Sequence, residues 1–221
     1  MLITSVAYIL HVMIDFNAAY VYFNSTDKVM AGALHKSLHS VHPPSVPVKI
    51  PSSEYAFHLY SSIISQQISV KAADAILKRF LELVGDPHDP QNILNHDIED
   101  FRAIGLSRQK ASYIRSIAEL TSTGTVKLDH LDERTDQEVI DELVLIKGVG
   151  QWTAEMFLMF TLCRPDVFSV GDLGLLNAAK KLYDRPELTK PELLVLSEKW
   201  FPHRSAAALT LWHSIDNKPI A

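Results

Sequence analysis

An aspartate, a pair of glycines and two tryptophans are the residues through which this 221-residue chain could do chemistry. Asp172 ends the stretch Arg164-Pro165-Asp166-Val167-Phe168-Ser169-Val170-Gly171-Asp172 and precedes an apolar run of helical period. A carboxylate in that position can cap the following helix. It can also face a developing positive charge and orient or deprotonate a water. The two uses are compatible, because a helix N-terminus favours negative charge. At about 4 Å and an effective dielectric near 20, one carboxylate stabilises a unit positive charge by about 4 kcal/mol, roughly a thousandfold in rate.

The glycines lie upstream, in Leu143-Val144-Leu145-Ile146-Lys147-Gly148-Val149-Gly150-Gln151-Trp152-Thr153-Ala154. One amphipathic helix stops at Gly148 and another starts directly after Gly150. Glycines permit positive φ in so tight a turn and let a foreign backbone approach without a Cβ in the way. The second helix then presents unbonded N–H groups and its positive dipole end, which suits one phosphate, with Lys147 adding charge beside it. From the glycines alone, a plain helix–turn–helix is the simpler reading.

The elements that must position these residues are all helical. Spacing and cap residues predict helices over Asp27–Leu38, Ser52 or Ser53 to Ile64, Ser69–Val84, Asp97–Ile104 and Ser107–Thr121. Asp136–Ile146, Gln151–Leu162, Asp172–Tyr183, Pro191–Trp200 and Ser205–Ser214 follow. Gly85-Asp86-Pro87 stops the third helix, and His42-Pro43-Pro44-Ser45-Val46-Pro47 forces an extended linker. No run alternates at period two between hairpin turns, so the fold class is all-α.

Bulk properties narrow the function. Hydrophobic residues at 47% and charged residues at 21% describe a globular chain rather than a disordered one. A single cysteine, Cys163, excludes an intramolecular disulfide framework, a four-cysteine zinc site and a four-cysteine iron–sulfur cluster. Its apolar setting reads as a buried, inert thiol, and a reducing compartment is expected. The histidines are scattered without ligand spacing, so neither a cofactor nor a protein-bound catalytic metal is expected. A net charge of −5 leaves nucleic-acid binding to a local basic face on an acidic body. Residues 1–14 are apolar without Lys or Arg, too short to span a bilayer and without a secretory n-region. Residues 1–25 are accordingly read as an N-terminal extension.

From Leu143 to Leu175 the chain resembles the helix-hairpin-helix DNA glycosylases, in which a Gly/Pro-rich loop is followed by a catalytic aspartate. The string GVGQWTAEMFLMFTLCRPDVFSVGDLGL carries the likeness, which is strongest to the alkylation-repair branch, 3-methyladenine DNA glycosylase II and its relatives. It extends from about Tyr55 through IISQQISVKAA and IGLSRQKASYI to FPHRSAAALTLWHSID, roughly three quarters of the chain. The resemblance implies a two-lobed helical fold without the extra N-terminal β domain of larger relatives. One lobe would be about 52–175, with the hairpin motif at 136–162, and the second 26–51 plus 176–221, hairpin and Asp172 facing a cleft between them.

By the same resemblance Asp172 is the catalytic aspartate. Trp152 and Trp212 line the pocket for a flipped base, with contributions from Tyr55, Tyr60 and Met156, which stands where the bacterial relative has a tyrosine. Gln67 is the expected wedge that fills the gap left by the flipped nucleotide, with Ile68 second. Ser69, Lys147, Gly148, Val149, Gly150, Thr153 and Arg204 are expected at the DNA, and Lys71, Arg108 and Lys110 at phosphates. Family members that cleave the backbone carry a lysine where this chain has Trp152, and Lys147 is not its equivalent. The implied activity is a monofunctional glycosylase for alkylated purines of the 3-methyladenine and 7-methylguanine type, in base-excision repair. Damaged double-stranded DNA is the implied partner, with no membrane, a monomer, and a monovalent cation at the hairpin carbonyls. An intracellular location is expected: bacterial cytoplasm, or the nucleus of a eukaryote.

Other readings remain open on the residues. The aromatics could be ordinary core, Gln66 and Gln67 could satisfy turn backbone, and the cations could be solvated. The protein could take deaminated or oxidised bases instead, or be a non-catalytic module that binds DNA structure, or a helical protein-interaction domain. Asp172 separates the catalytic readings from the others, since a binding module needs no carboxylate.

Overall fold

The computed structural model describes residues 14–216, which contain helices and no strand. In chain order the helices are α1 (Phe16–Thr26), α2 (Lys28–Leu38), α3 (Tyr55–Ser65), α4 (Val70–Val84), α5 (Pro90–Leu94) and α6 (Ile98–Ala103). Then come α7 (Arg108–Ser122), α8 (Asp136–Leu143), α9 (Gln151–Phe160), α10 (Leu173–Leu182), α11 (Lys190–Ser197) and α12 (Arg204–Asp216). No described helix is long and apolar enough to cross a membrane.

Local chemistry sets most of the boundaries. Ser69 and Ser107 cap α4 and α7 through their hydroxyls, and Gly85, at φ 73°, ends α4. Thr135 and Glu138 form a capping box that starts α8. Neither Ser52 nor Ser53 caps α3; the chain enters it through a 3-10 turn with no side-chain cap. Residues 16–25 are not an extension. They form most of α1, which buries Phe16, Ala19 and Phe23 on one stripe. Residues 1–13 lie outside the described residues.

Contacts divide the chain into two units, one running to Val46 and resuming at Cys163, the other Pro47–Leu162. In the second unit α3 packs on α4, α7 and α9, and α7 also contacts α5 and α6. Its core holds Leu59, Ile63, Phe80, Phe101, Ile114 and Ile117, each at most 1% exposed. Burying side chains of this size stabilises the fold by about 1.5–3 kcal/mol each.

In the first unit α12 packs on α2 and α10, and α1 lies against α2. Asp27 ties these pieces together. It caps α2 by accepting from the Val29 and Met30 N–H groups, and it accepts from the Tyr183 hydroxyl at 2.6 Å and the Trp200 indole at 3.0 Å.

The boundary at Leu162/Cys163 differs from the expected one at 175/176, and Asp172 therefore belongs to the unit of α2 and α12. The cause is the loop before it. Ser205 of α12 donates its N–H to Pro165 O and its hydroxyl to Arg164 O, and its hydroxyl oxygen accepts from Val167 N–H. Arg204 adds a two-bond pair with Asp166, at 2.8 and 2.7 Å. This loop is fastened to α12 before α10 begins.

Candidate functional site

The hairpin joins α8 to α9. Gly148 has φ 92°, and a Cβ built there would lie 2.2 Å from the ring of Tyr113 on α7. This glycine is required twice, by its backbone and by the ring beneath it. Gly150 differs: φ is −92°, ψ is 176°, and nothing lies within 4 Å of a Cβ added there. Its open side is the entrance to the N-terminus of α9, which carries no side-chain cap. The first ladder bond of α9 is Ala154 N–H to Gly150 O, so the preceding N–H groups are those a helix offers to an anion. Lys147 is exposed beside the turn, whereas Val149 and the Thr153 side chain are buried, leaving only the first-turn N–H of Thr153 for a phosphate.

The α3–α4 loop carries the expected wedge. Gln67 sits in the left-handed region at φ 58°, exposed, with Ile68 39% exposed behind it. Non-glycine residues held there cost about 1–3 kcal/mol and cluster at functional sites. The Ser69 hydroxyl caps α4 by accepting from Ala72 N–H.

Three expected phosphate contacts are otherwise engaged. Arg204 is taken up by Asp166 and by Glu198, with its side chain 24% exposed. Arg108 pairs with Glu99. Lys110 donates to the carbonyls of Ile64 and Gln66 at 2.8 and 2.6 Å, and burial lowers its pKa. Arg204 and Lys110 are ties inside the protein, whereas the Arg108–Glu99 pair is exposed at the surface. Lys71 is exposed.

Asp172 is the N-cap of α10 and is half-buried. Its Oδ1 accepts from Leu175 N–H at 2.8 Å and from the Trp212 indole N–H at 3.3 Å. The carboxylate thus has a fixed rotamer, held by backbone on one side and an aromatic ring on the other. Sequence reasoning missed Gly174, where a Cβ would stand 2.9 Å from Asp172 Oδ1 and 3.3 Å from Trp212 Nε1. The visible signal was the second glycine of Gly171-Asp172-Leu173-Gly174.

The aromatic expectations divide. Trp152 is 46% exposed in the first turn of α9, with the half-buried Met156 one turn further along. Those two lie in the 47–162 unit, Asp172 and Trp212 in the other. Tyr55 and Tyr60 are core residues, 1% and 0% exposed. Tyr55 packs edge-on against Phe157, and Tyr60 tilts against Phe80 with burial raising its hydroxyl pKa. Both are packed as core residues rather than exposed for stacking. Among the described residues no group of three or more His, Cys, Asp or Glu could hold a metal ion.

The helical hairpin with an open glycine and the clamped helix-capping aspartate are the two features that the resemblance leads one to expect of a DNA-repair protein. Residues 60–203 match the HhH-GPD superfamily of base excision DNA repair proteins, and the chain belongs to that family. Its relatives include DNA-3-methyladenine glycosylase 1 of Schizosaccharomyces pombe, 40% identical over 158 residues, 70% of this chain and 69% of that protein. YfjP of Bacillus subtilis is 35% identical over 164 residues, and there the matched stretch is 70% of this chain but only 56% of the relative. Among solved structures, a DNA-3-methyladenine glycosidase from Bacillus halodurans superposes with a TM-score of 0.76 over 93% of each chain, at 34% identity. The S. pombe 3-methyladenine DNA glycosylase in complex with abasic DNA gives 0.73 over 89% of this chain and 95% of that one, at 32% identity.

Proposed function

We propose that the protein is a monofunctional DNA glycosylase that hydrolyses the N-glycosidic bond of alkylated purines in damaged double-stranded DNA. The observation that carries this reading is the Asp172 carboxylate, fixed by Leu175 N–H and the Trp212 indole in a member of a base-excision-repair family. An N3- or N7-alkylated purine already bears positive charge. When its bond to C1′ breaks, the electron pair leaves with the base and the positive charge passes to the sugar. Asp172 stabilises that charge and takes a proton from the water whose oxygen bonds to C1′. Trp212, which clamps Asp172 within its own unit, supplies an electron-rich face for a cationic base, and the exposed Trp152 is a second aromatic face in the other unit. The first turn of α9 and Lys147 hold a phosphate, and Gln67 and Ile68 fill the vacated stack.

Trp152 in place of a lysine leaves no amine for Schiff-base chemistry at that position, so strand cleavage is not part of the activity. The carbonyls of Ile146 and Gly148 accept from Val149 N–H and the Gln66 amide, and a carbonyl has a second lone pair, so the turn suits a monovalent cation. A DNA substrate implies an intracellular location, and nothing in the reaction requires more than one copy.

The test is release of 7-methylguanine or 3-methyladenine from a duplex with one lesion. Abasic product that breaks only after alkali, and a roughly thousandfold slower rate in Asp172→Asn, is the expected result. A wild type that releases neither base overturns the substrate. Strand breaks without alkali, with a borohydride-trapped adduct, overturn the monofunctional assignment.

A further inference from the structure

We propose that Lys110 is a positioning residue for base flipping: it holds the α3–α4 loop in the shape that drives Gln67 and Ile68 into the duplex. The inference rests on the glycosylase reading above but concerns a different step, opening of the stack rather than bond cleavage.

Lys110 lies in the first turn of α7, its backbone N–H donating to the Ser107 cap. Its ammonium leaves the helix to meet Ile64 O at 2.8 Å and Gln66 O at 2.6 Å. Those carbonyls close α3, whose C-cap is Gln66 at φ −52° and ψ 129°. A cation there satisfies acceptors that a helix end leaves without partners and opposes the negative pole of the dipole. The next residue is Gln67 in its left-handed conformation. A strained residue persists only where its flanks over-determine it. On one flank Lys110 pins Gln66, and on the other Ser69 caps α4.

The same stretch of α7 supports the phosphate-binding turn. Tyr113, three residues after Lys110, is the ring that Gly148 packs against. The Gln66 side-chain amide lies 3.5 Å from Gly148 O. One rigid turn of α7 thus sets the loop that enters the stack and the turn that grips the backbone. A phosphate contact or a solvated side chain, the two readings open from sequence, would leave both carbonyls without this donor.

The variant is Lys110→Met, which keeps length and removes the donor, with Lys110→Arg as the rescue. Lys110→Gln, which keeps an amide NH2 donor but loses the charge and the reach, replaces the methionine variant should that not fold. The first readout is 2-aminopurine fluorescence beside an abasic-site analogue in a duplex at saturating protein. The second is single-turnover release of 7-methylguanine from a duplex and from the same sequence as a single strand, where no stack opposes entry. Expected are a lost fluorescence change, a tenfold or greater slowing on duplex and little change on single strand, with Arg restoring most of the rate. On a Gln67→Ala background, Lys110→Met should add no further loss. Equal slowing on both substrates, an unchanged fluorescence response, or additive losses with Gln67→Ala overturns the proposal. If the wild type releases no methylated base yet perturbs the probe, the substrate reading fails and the fluorescence comparison still decides this one.

Discussion

Replacing Gly148 by alanine tests the hairpin, because the structure demands glycine there for two separable reasons. The backbone stands at φ 92°, where a Cβ costs about 1–2 kcal/mol. The new methyl would lie 2.2, 2.4 and 2.6 Å from three carbons of the Tyr113 ring, so the ring or the turn must move. Overpacking of this kind costs about 1–3 kcal/mol. Together they predict a loss of about 3 kcal/mol and a melting temperature roughly 6–12 °C lower for a chain of this size. Differential scanning calorimetry measures it. The Tyr113→Ala background removes the ring and should return the steric part, a coupling of about 1–3 kcal/mol in a double-mutant cycle. Gly150→Ala is the contrasting control, since its Cβ meets open space at an ordinary φ. It should melt within about 1 °C of wild type, yet bind duplex DNA more weakly, because the methyl stands where a phosphate approaches α9. A Gly148→Ala protein that melts like wild type, or one that Tyr113→Ala does not relieve, refutes the packing argument. A Gly150→Ala protein with unchanged affinity refutes the phosphate site.

Three further outcomes follow from the geometry. Asp27→Ala strips the α2 cap and leaves the Tyr183 hydroxyl and Trp200 indole without their acceptor, so it should destabilise by about 3 kcal/mol or more; urea denaturation reads this, and a shift under 1 kcal/mol counts against a structural hub. Lys147→Ala should lower the slope of log affinity against log salt by about 1, whereas Arg204→Met, already paired with Asp166, should leave the slope unchanged while lowering the melting temperature. Burial lowers the imidazole pKa of His58 and of His203 below 6.5, outweighing nearby carboxylates, so the unfolded chain binds those protons more readily. Stability from this source is complete above about pH 6.5 and falls as pH drops toward the folded-state values. Melts from pH 7.5 to 5.5 should show that decline, flattened in a His58→Gln, His203→Gln double variant.

Helices with a capping residue and a clean stop were legible in the sequence. Ser69 to Gly85 and Ser107 to Thr121 show why: cap, stripe and stop agree. The segment Phe16–Thr26 was not read as a helix, because exposed Val21 and the half-buried Tyr20 and Tyr22 blur the stripe of Phe16, Ala19 and Phe23. The five-residue α5 was missed although Asp89 caps it and Pro90 opens it, since one turn carries no periodicity. At the site, the α10 cap made by Asp172 and the positive φ of Gly148 are local features, whereas the partners Trp212 and Tyr113 lie far along the chain and were not legible. Arg204 and Lys110 could not be placed. Their partners, Asp166 and the end of α3, lie 38 and more than 40 positions away, and a basic residue reads as surface until such a partner is seen. Tyr55 and Tyr60 show the same limit for aromatics, whose spacing says helix but not whether the face meets core or cavity.

The chain order of the two units has a consequence for how the protein is made. Pro47–Leu162 is one uninterrupted stretch, so every residue of that unit has been synthesised before Cys163 is added. The unit holding Asp172 is split: α2 must wait for α12, which also supplies Trp212 and fastens the 164–167 loop. During synthesis, therefore, the hairpin is complete while the carboxylate's surroundings are still missing their last helix. A nascent chain stalled before Arg204 would carry the Gly148–Gly150 turn but not the Asp172–Trp212 clamp, which forms only with the last described helix.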